Sequence, residues 1–169
     1  SVKHELRMMA RLLHRLGAVS IKTAENEKAC EALWELRREF SQSLKATGLR
    51  KLNEDLVVPR SRLVDLFDLA KKLQKKYGIR FACFGHAGDG NIHTNLMVDE
   101  KSPRQMAASK RALDELFNTV LSWNGSITGE HGIGIAKMRW WPKAVSPEVR
   151  QFHHRLKKMM DPRGILNPG

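Results

Sequence analysis

The sequence predicts an α+β fold, in which a largely antiparallel sheet is covered by helices. Two apolar runs, Ile79–His86 and Asn91–Val98, are joined by Ala-Gly-Asp-Gly, and Asp-Gly between such runs is typical of a β-hairpin. Segments with helical spacing of apolar residues precede and follow this hairpin. Because hairpins and crossover helices are mixed along the chain, an antiparallel sheet is favoured over a doubly wound parallel one.

The first half of the chain is predicted from its apolar spacing, its helix-capping residues and its glycines. In order, the predicted elements are a helix ending at Gly17, a short strand Ala18–Lys22, a long helix from the N-cap Thr23 to about Ala46, a strand ending at Leu56–Val58 before Pro59, and a helix from Ser61 to Gly78. After the hairpin we expect a helix from about Pro103 to Trp123, a short strand Ser126–His131, a helix capped by Ser146 that runs to about Met160, and a turn-rich tail from Asp161.

Composition is that of an ordinary globular protein. The 169 residues suit one domain spanning 1–169; 41% are hydrophobic and 28% charged. We see no apolar run of membrane-spanning length and no signal-peptide pattern. The two cysteines, Cys30 and Cys83, form no CxxC pair, so a reduced, cytoplasmic setting is expected, at most peripheral to the inner membrane.

The net charge of +12 has two interpretations. It is either a solvated basic surface facing anionic substrates, or a surface that binds nucleic acid or an anionic membrane. Basic residues are spread along the chain, with some enrichment in Lys137–Arg163, and no zinc finger or RNA-recognition signature is present. This pattern favours the first interpretation, with no specific nucleic-acid partner.

The residues around the predicted hairpin are the strongest candidates for chemistry. His86 ends one strand and His93 lies early in the next, while His93 and Asn95, two residues apart, project from the same face. A second segment, Gly-Glu-His-Gly, carries Glu130 and His131 between glycines. Two histidines and a carboxylate suit a divalent metal such as Zn, Mn or Fe, and the remaining imidazole suits a general base. The alternative is that the histidines are ordinary surface or core residues and that Gly-Asp-Gly is only a turn.

Arg37 lies on the apolar stripe of the long predicted helix, with Ser41 one turn further along. A guanidinium beside a hydroxyl suits bidentate binding of a carboxylate. The alternative is an arginine that reaches solvent from the edge of the stripe or pairs with Glu39 or Asp55.

Three motifs in order are similar to the C-terminal region of the FAD-linked oxidase family. They are GHAGDGNIHTN, GSITGEHGIG and DPRGILNPG. This family includes the flavin subunit of glycolate oxidase, D-lactate dehydrogenases and D-2-hydroxyglutarate dehydrogenase. The resemblance covers nearly the whole chain and implies a ferredoxin-like substrate domain of an enzyme that oxidises a small D-2-hydroxy acid, of the glycolate or D-lactate type, to the 2-oxo acid by hydride transfer to flavin.

The resemblance also implies a role for each candidate residue. It implies that His86, His93 and Glu130 bind the metal, that His131 is the base that takes the hydroxyl proton, and that Arg37, Ser41, Asn95 and Lys51 bind the substrate. The assignment of Lys51 depends most on the alignment with the family, which can shift by two residues at this point.

The family's flavin is held mainly by an upstream FAD-binding domain that this sequence does not contain. We therefore expect a chain truncated at its N-terminus and inactive by itself, with FAD and a divalent metal as cofactors. The resemblance admits an iron–sulfur partner subunit among several electron acceptors. Two other classes stay open: a self-sufficient metal-dependent hydrolase, and a basic module that binds nucleic acid or membrane.

Overall fold

The computed structural model describes residues 1–168, which fall into two compact units, residues 1–47 and residues 48–168. The first unit consists of helices α1 (Val2–Arg15) and α2 (Glu27–Lys45). The predicted N-cap at Thr23 is wrong: Asn26 caps α2, and its side chain accepts a hydrogen bond from the Ala29 N–H at 2.9 Å. The predicted strand at 18–22 is also wrong, since these residues pair with no strand in the part of the chain described.

The second unit carries the sheet and five helices. Its elements are β1 (Arg50–Val57), α3 (Leu63–Tyr77) after a single 3-10 turn, β2 (Arg80–His86), β3 (Asn91–Val98), α4 (Pro103–Ser122), α5 (Gly134–Lys137), α6 (Trp141–Ala144) and α7 (Pro147–Met160). In this unit the predicted hairpin and the three long helices are confirmed to within about two residues at their ends. The four-residue helices α5 and α6 were not predicted, because one helical turn is too short to show a periodic pattern.

The three strands form one antiparallel sheet in the order β1-β3-β2, which confirms the α+β class. The outer strands run parallel to each other on either side of β3, and α3 connects them. This is the split βαβ arrangement of ferredoxin-like folds. Along the free edge of β1, Ser126 forms a single antiparallel bridge with Val57.

The strand predicted at 126–131 is therefore wrong, since pairing stops after this one bridge. The physical reason lies in β1. The backbone N–H groups of residues 129–131 donate to the side chain of Asp55 and not to a strand backbone. A segment whose N–H groups converge on one carboxylate oxygen cannot at the same time form an extended ladder.

The hydrophobic core lies between α3, α4 and one face of the sheet. The alternating residues of β3 that face it are all at most 2% exposed: Ile92, Thr94, Leu96 and Val98. Leu66 and Leu73 of α3 and Leu116 and Phe117 of α4 complete the core, each 0% exposed. The predicted alternation of β3 is confirmed, and it directs His93 and Asn95 to the opposite face.

Glycine and serine set the helix ends as the sequence predicts. Gly78 ends α3 with φ +65°, and Ser102 and Ser146 cap α4 and α7 by accepting backbone N–H bonds. None of the helices described is both long enough and apolar enough to cross a membrane.

Candidate metal centre

Three potential metal ligands meet at one end of the sheet. One ligand atom from each of His86, His93 and Glu130 lies within 4.8 Å of the other two. Nε2 of His86 and Oε1 of Glu130 are 3.9 Å apart, and these two side chains are about half exposed. His93 is the more buried of the two histidines. The cluster therefore has one fixed ligand and two that reach it from the surface.

The donor set fits a divalent metal. Metal–nitrogen and metal–oxygen bonds are about 2.0–2.2 Å, so two ligand atoms on one ion are at most about 4.4 Å apart. Small rotations of the exposed His86 and Glu130 side chains cover the difference from the distances above. Three protein ligands would leave coordination positions open for other groups. The sequence predicts this trio, and the fold brings it together.

The β2–β3 hairpin positions both histidines. Phe84 is the partner of His93 in the register, and His86 is the partner of Asn91, so the two histidines are diagonal neighbours on one face. Their ring centroids are 6.4 Å apart. Gly85 lies between these positions, and a Cβ there would be 2.2 Å from the carbonyl oxygen of Asn91. A glycine is thus required for the two strands to pair this closely.

Asn91 orients the third ligand. Its side chain is buried, and Nδ2 donates to Oε1 of Glu130 at 2.9 Å. Gly129 makes room for this contact, since a Cβ there would be 2.8 Å from Nδ2 of Asn91. The backbone N–H of Asn91 donates to the Asp89 side chain in the turn at 3.1 Å. The hairpin turn and Glu130 are therefore linked through one residue, Asn91.

His131 lies directly against the ligand cluster. Its ring stacks on that of His93, with centroids 5.4 Å apart and an interplanar angle of 21°. His131 is exposed and does not belong to the trio. The site thus contains a third imidazole beside the candidate ligands.

Asp55 holds the segment that carries Glu130 and His131. This residue of β1 is 0% exposed, and its Oδ2 accepts hydrogen bonds from the N–H groups of Gly129, Glu130 and His131 at 2.7, 2.6 and 2.9 Å. Burial alone would raise the pKa of Asp55, but these backbone donors outweigh it and lower the pKa to about 2. The carboxylate therefore stays ionised beneath the site.

A buried lysine reinforces the same segment from the other side of the sheet. Nζ of Lys137 donates to the carbonyls of Ile127 and Asp55 at 2.7 and 3.2 Å, and lies 3.6 Å from Oε2 of Glu54. Burial raises the pKa of Glu54 and lowers that of Lys137, and each partner opposes the shift of the other. The pair fixes the chain entering the site to β1.

Sequence reasoning named Asp55 only as an alternative partner of Arg37, and it did not find the roles of Asn91 and Lys137. An available signal was Glu54-Asp55 inside an otherwise apolar strand end, since adjacent acids on both faces of a covered strand need partners. Asn91 lies within the hairpin motif, but its contact with a residue 39 positions away leaves no local pattern.

The predicted substrate residues are distributed over both units. Asn95 is 0% exposed, and its Nδ2 donates to the carbonyls of Ala82 and His93. Lys51 lies on β1, on the same face as Asp55 but four residues, or about 13 Å, further along the strand. Arg37 and Ser41 lie half-buried on α2 in the first unit. Substrate contact by these four residues stays a prediction.

Comparison with known proteins identifies the family. The chain belongs to the family described as FAD linked oxidases, C-terminal domain, which it matches over residues 1–169. The resemblance inferred from the three motifs is thereby confirmed.

Three curated relatives are named as a glycolate oxidase subunit or as D-lactate dehydrogenases. The chain is 33% identical to the glycolate oxidase subunit GlcD of Bacillus subtilis over 169 residues, which is 100% of this chain and 36% of that protein. It is 36% identical to the mitochondrial D-lactate dehydrogenase [cytochrome] of Arabidopsis thaliana over 148 residues, covering 86% of this chain and 26% of the relative. A D-lactate dehydrogenase of Archaeoglobus fulgidus is 30% identical over 160 residues, covering 95% and 35%. The chain thus spans about a third or less of each of these proteins.

Proposed function

We propose that the chain is the metal- and substrate-binding part of an FAD-dependent oxidoreductase that converts a small D-2-hydroxy acid to the 2-oxo acid. One observation carries this proposal. The His86, His93 and Glu130 cluster lies beside the imidazole of His131, in a chain of the FAD-linked oxidase family. The names of its relatives, glycolate oxidase and D-lactate dehydrogenase, favour a substrate of two or three carbons.

The proposed chemistry divides between the cofactors and the chain. FAD supplies the hydride acceptor, and a divalent metal held by His86, His93 and Glu130 supplies a Lewis acid that lowers the pKa of the substrate hydroxyl. His131 accepts the hydroxyl proton, because its ring adjoins the ligand cluster without belonging to it. We assign no residue of this chain to flavin binding.

Orientation of the substrate is the second part of the proposal. Arg37 is the candidate for binding the carboxylate, because a guanidinium binds it through two parallel hydrogen bonds and so fixes the direction of the C–H bond. Ser41, Lys51 and Asn95 are the further candidates for polar contact. The basic character of the chain, with net charge +12, would favour the approach of an anionic substrate.

Metal binding by the chain itself is the first test. The purified metal-free chain is titrated with Co²⁺ and Zn²⁺ against a chelator of known affinity, and one tight site is expected. His86→Ala, His93→Ala and Glu130→Gln should each abolish it, while His14→Ala, a change of an exposed histidine on α1, should leave it intact. Metal binding that survives the first two substitutions contradicts the ligand assignment.

Flavin reduction is the second test. In the FAD-loaded holoenzyme, D-lactate and glycolate should bleach the flavin absorbance in stopped-flow measurements. His131→Ala should retain the metal and slow this bleaching by a factor of about 10²–10⁴, the usual contribution of a general base. Normal flavin reduction in this variant would refute the assigned base, and metal-dependent hydrolysis without flavin would favour the hydrolase instead.

A further inference from the structure

Asp55 is not among the predicted ligands or bases, yet its side chain accepts hydrogen bonds from three consecutive residues of the segment that carries Glu130 and His131. One carboxylate oxygen, Oδ2, accepts hydrogen bonds from three consecutive backbone N–H groups and lies 3.3 Å from Oγ1 of Thr128. The residues from 127 to 133 form no helix or strand, so their backbone has no regular ladder. The conformation of this segment therefore depends on a buried side chain from another element.

We propose that Asp55 is a positioning residue that sets Glu130 and His131 in place before a metal binds. This inference rests on the proposed function, since it assigns Asp55 to the same site. The carboxylate of Asp55 contacts Thr128 and the backbone N–H groups of residues 129–131, not the ligand atoms of the trio. It acts through the backbone, because the N–H groups it binds belong to the ligand Glu130, the base His131 and the glycine before them.

The register of the sheet explains why Asp55 is suited to this role. Asp55 is the cross-strand partner of His93, so the most buried ligand and the anchor of the third ligand share one position of the β1–β3 ladder. A shift of the 129–131 segment would change two distances together. It would move Glu130 relative to His86 and His93, and it would move His131 off the ring on which it stacks.

The remaining contacts of Glu130 make the backbone anchor necessary. Its side chain is 54% exposed, and one hydrogen bond, from Asn91, orients it. A half-exposed side chain held by one hydrogen bond is oriented only as well as its own backbone is fixed. Asn91 thus sets the direction of the carboxylate, while Asp55 sets the point from which it extends.

Metal affinity distinguishes positioning from a general contribution to folding. Asp55→Asn keeps the size of the side chain but removes the charge that three N–H donors share, so the Co²⁺ affinity of the purified chain should fall by about 10- to 100-fold. The absorption spectrum of the bound Co²⁺ should change with it, because the position of one ligand changes. Leu66→Ala in α3 is the matched control: it opens a core cavity away from the site, and it should lower stability while leaving Co²⁺ affinity and spectrum unchanged.

Hydrogen exchange of the metal-free wild-type chain tests the same inference without a variant. The amides of Gly129, Glu130 and His131 should be protected although they lie in a segment without helix or strand. Asp55→Asn should remove this protection and leave that of β3 in place. Exchange of the three wild-type amides at unprotected rates, or wild-type Co²⁺ affinity in Asp55→Asn, would overturn the inference even if that variant folds poorly.

The two proposals fail in different ways. A wild-type chain that binds no metal at these residues refutes the proposed metal site, while the exchange experiment still decides whether Asp55 fixes the segment. Equal and tight metal binding by wild type and Asp55→Asn leaves the metal site standing and refutes the role of Asp55.

Discussion

Removal of the buried ammonium of Lys137 should destabilise the second unit strongly. The side chains of Lys137 and Glu54 are only 5% and 11% exposed, and their charged atoms are 3.6 Å apart. Lys137→Met leaves Glu54 buried without its counter-charge, and loss of one partner of such a pair costs about 3–5 kcal/mol. With a urea m-value of about 2 kcal/mol per molar, the unfolding midpoint should fall by roughly 2 M.

A second substitution separates the ion pair from the two carbonyl contacts. Lys137→Met with Glu54→Leu removes both charges, leaving only the loss of donors to the carbonyls of Ile127 and Asp55, at about 1 kcal/mol each. The double variant should therefore be more stable than Lys137→Met and lie within about 2 kcal/mol of wild type.

Urea unfolding followed by tryptophan fluorescence is the assay, because Trp140 is buried against Phe117 and reports on this unit. The matched control is Lys71→Met, whose partner Asp68 forms an exposed pair at 3.2 Å, and it should change stability by less than about 1 kcal/mol. A loss below about 1 kcal/mol in Lys137→Met, or a double variant no more stable than the single one, would refute the reasoning.

The pH dependence of the single variant has a definite sign. Burial already raises the pKa of Glu54, and loss of the Lys137 charge raises it further. An acid whose folded-state pKa is raised costs stability once the pH exceeds its unfolded pKa. Lys137→Met should therefore become less stable, relative to wild type, as the pH rises from about 5 to 8.

Three more outcomes are expected from single contacts. Gly90→Ala should cost clearly more stability in thermal unfolding than Gly48→Ala. Both glycines have positive φ, but of the two only Gly90 has a backbone atom in the way: the new Cβ would lie 2.0 Å from the Val58 carbonyl oxygen. Equal losses of stability would contradict this steric account. The pKa of Asp55 near 2 means that this carboxyl should account for about 2 kcal/mol of the stability that the metal-free wild-type chain loses between pH 5 and pH 2. In urea titrations the acid-induced loss should be smaller by this amount in Asp55→Asn, and an equal loss in both chains would contradict the assignment. Gly129→Ala would place a Cβ 2.8 Å from Nδ2 of Asn91 and so displace the Asn91 side chain from Glu130. Chelator competition should then show metal affinity reduced by about tenfold, and an unchanged affinity would argue against orientation of Glu130 by Asn91.

The hairpin and the helices could be read from the sequence because their signals are local. Alternation in Asn91–Val98, Asp-Gly in the turn and glycine or serine at helix ends each act within a few residues. They fix which face His93 occupies and that His86 lies near it. Thr23 and Asn26 are both residues that can cap a helix, and Asn26 is the one that caps α2. The predicted start of this helix was therefore wrong by three residues.

The site needs more than these local signals. The motifs named Glu130 and His131 as candidates, but only the tertiary structure shows the segment that carries them beside the hairpin, through a bond between residues 39 positions apart and through Asp55, 74 to 76 positions away. The same contacts turned the strand predicted at 126–131 into a single bridge at Ser126. Periodicity shows on which side of a helix or strand a residue lies. It does not show that a buried carboxylate, here that of Asp55, accepts the hydrogen bonds of distant backbone N–H groups in place of a neighbouring strand. The sequence by itself therefore determined the hairpin, the long helices and the candidate ligand types, while long-range hydrogen bonding decided how these side chains meet.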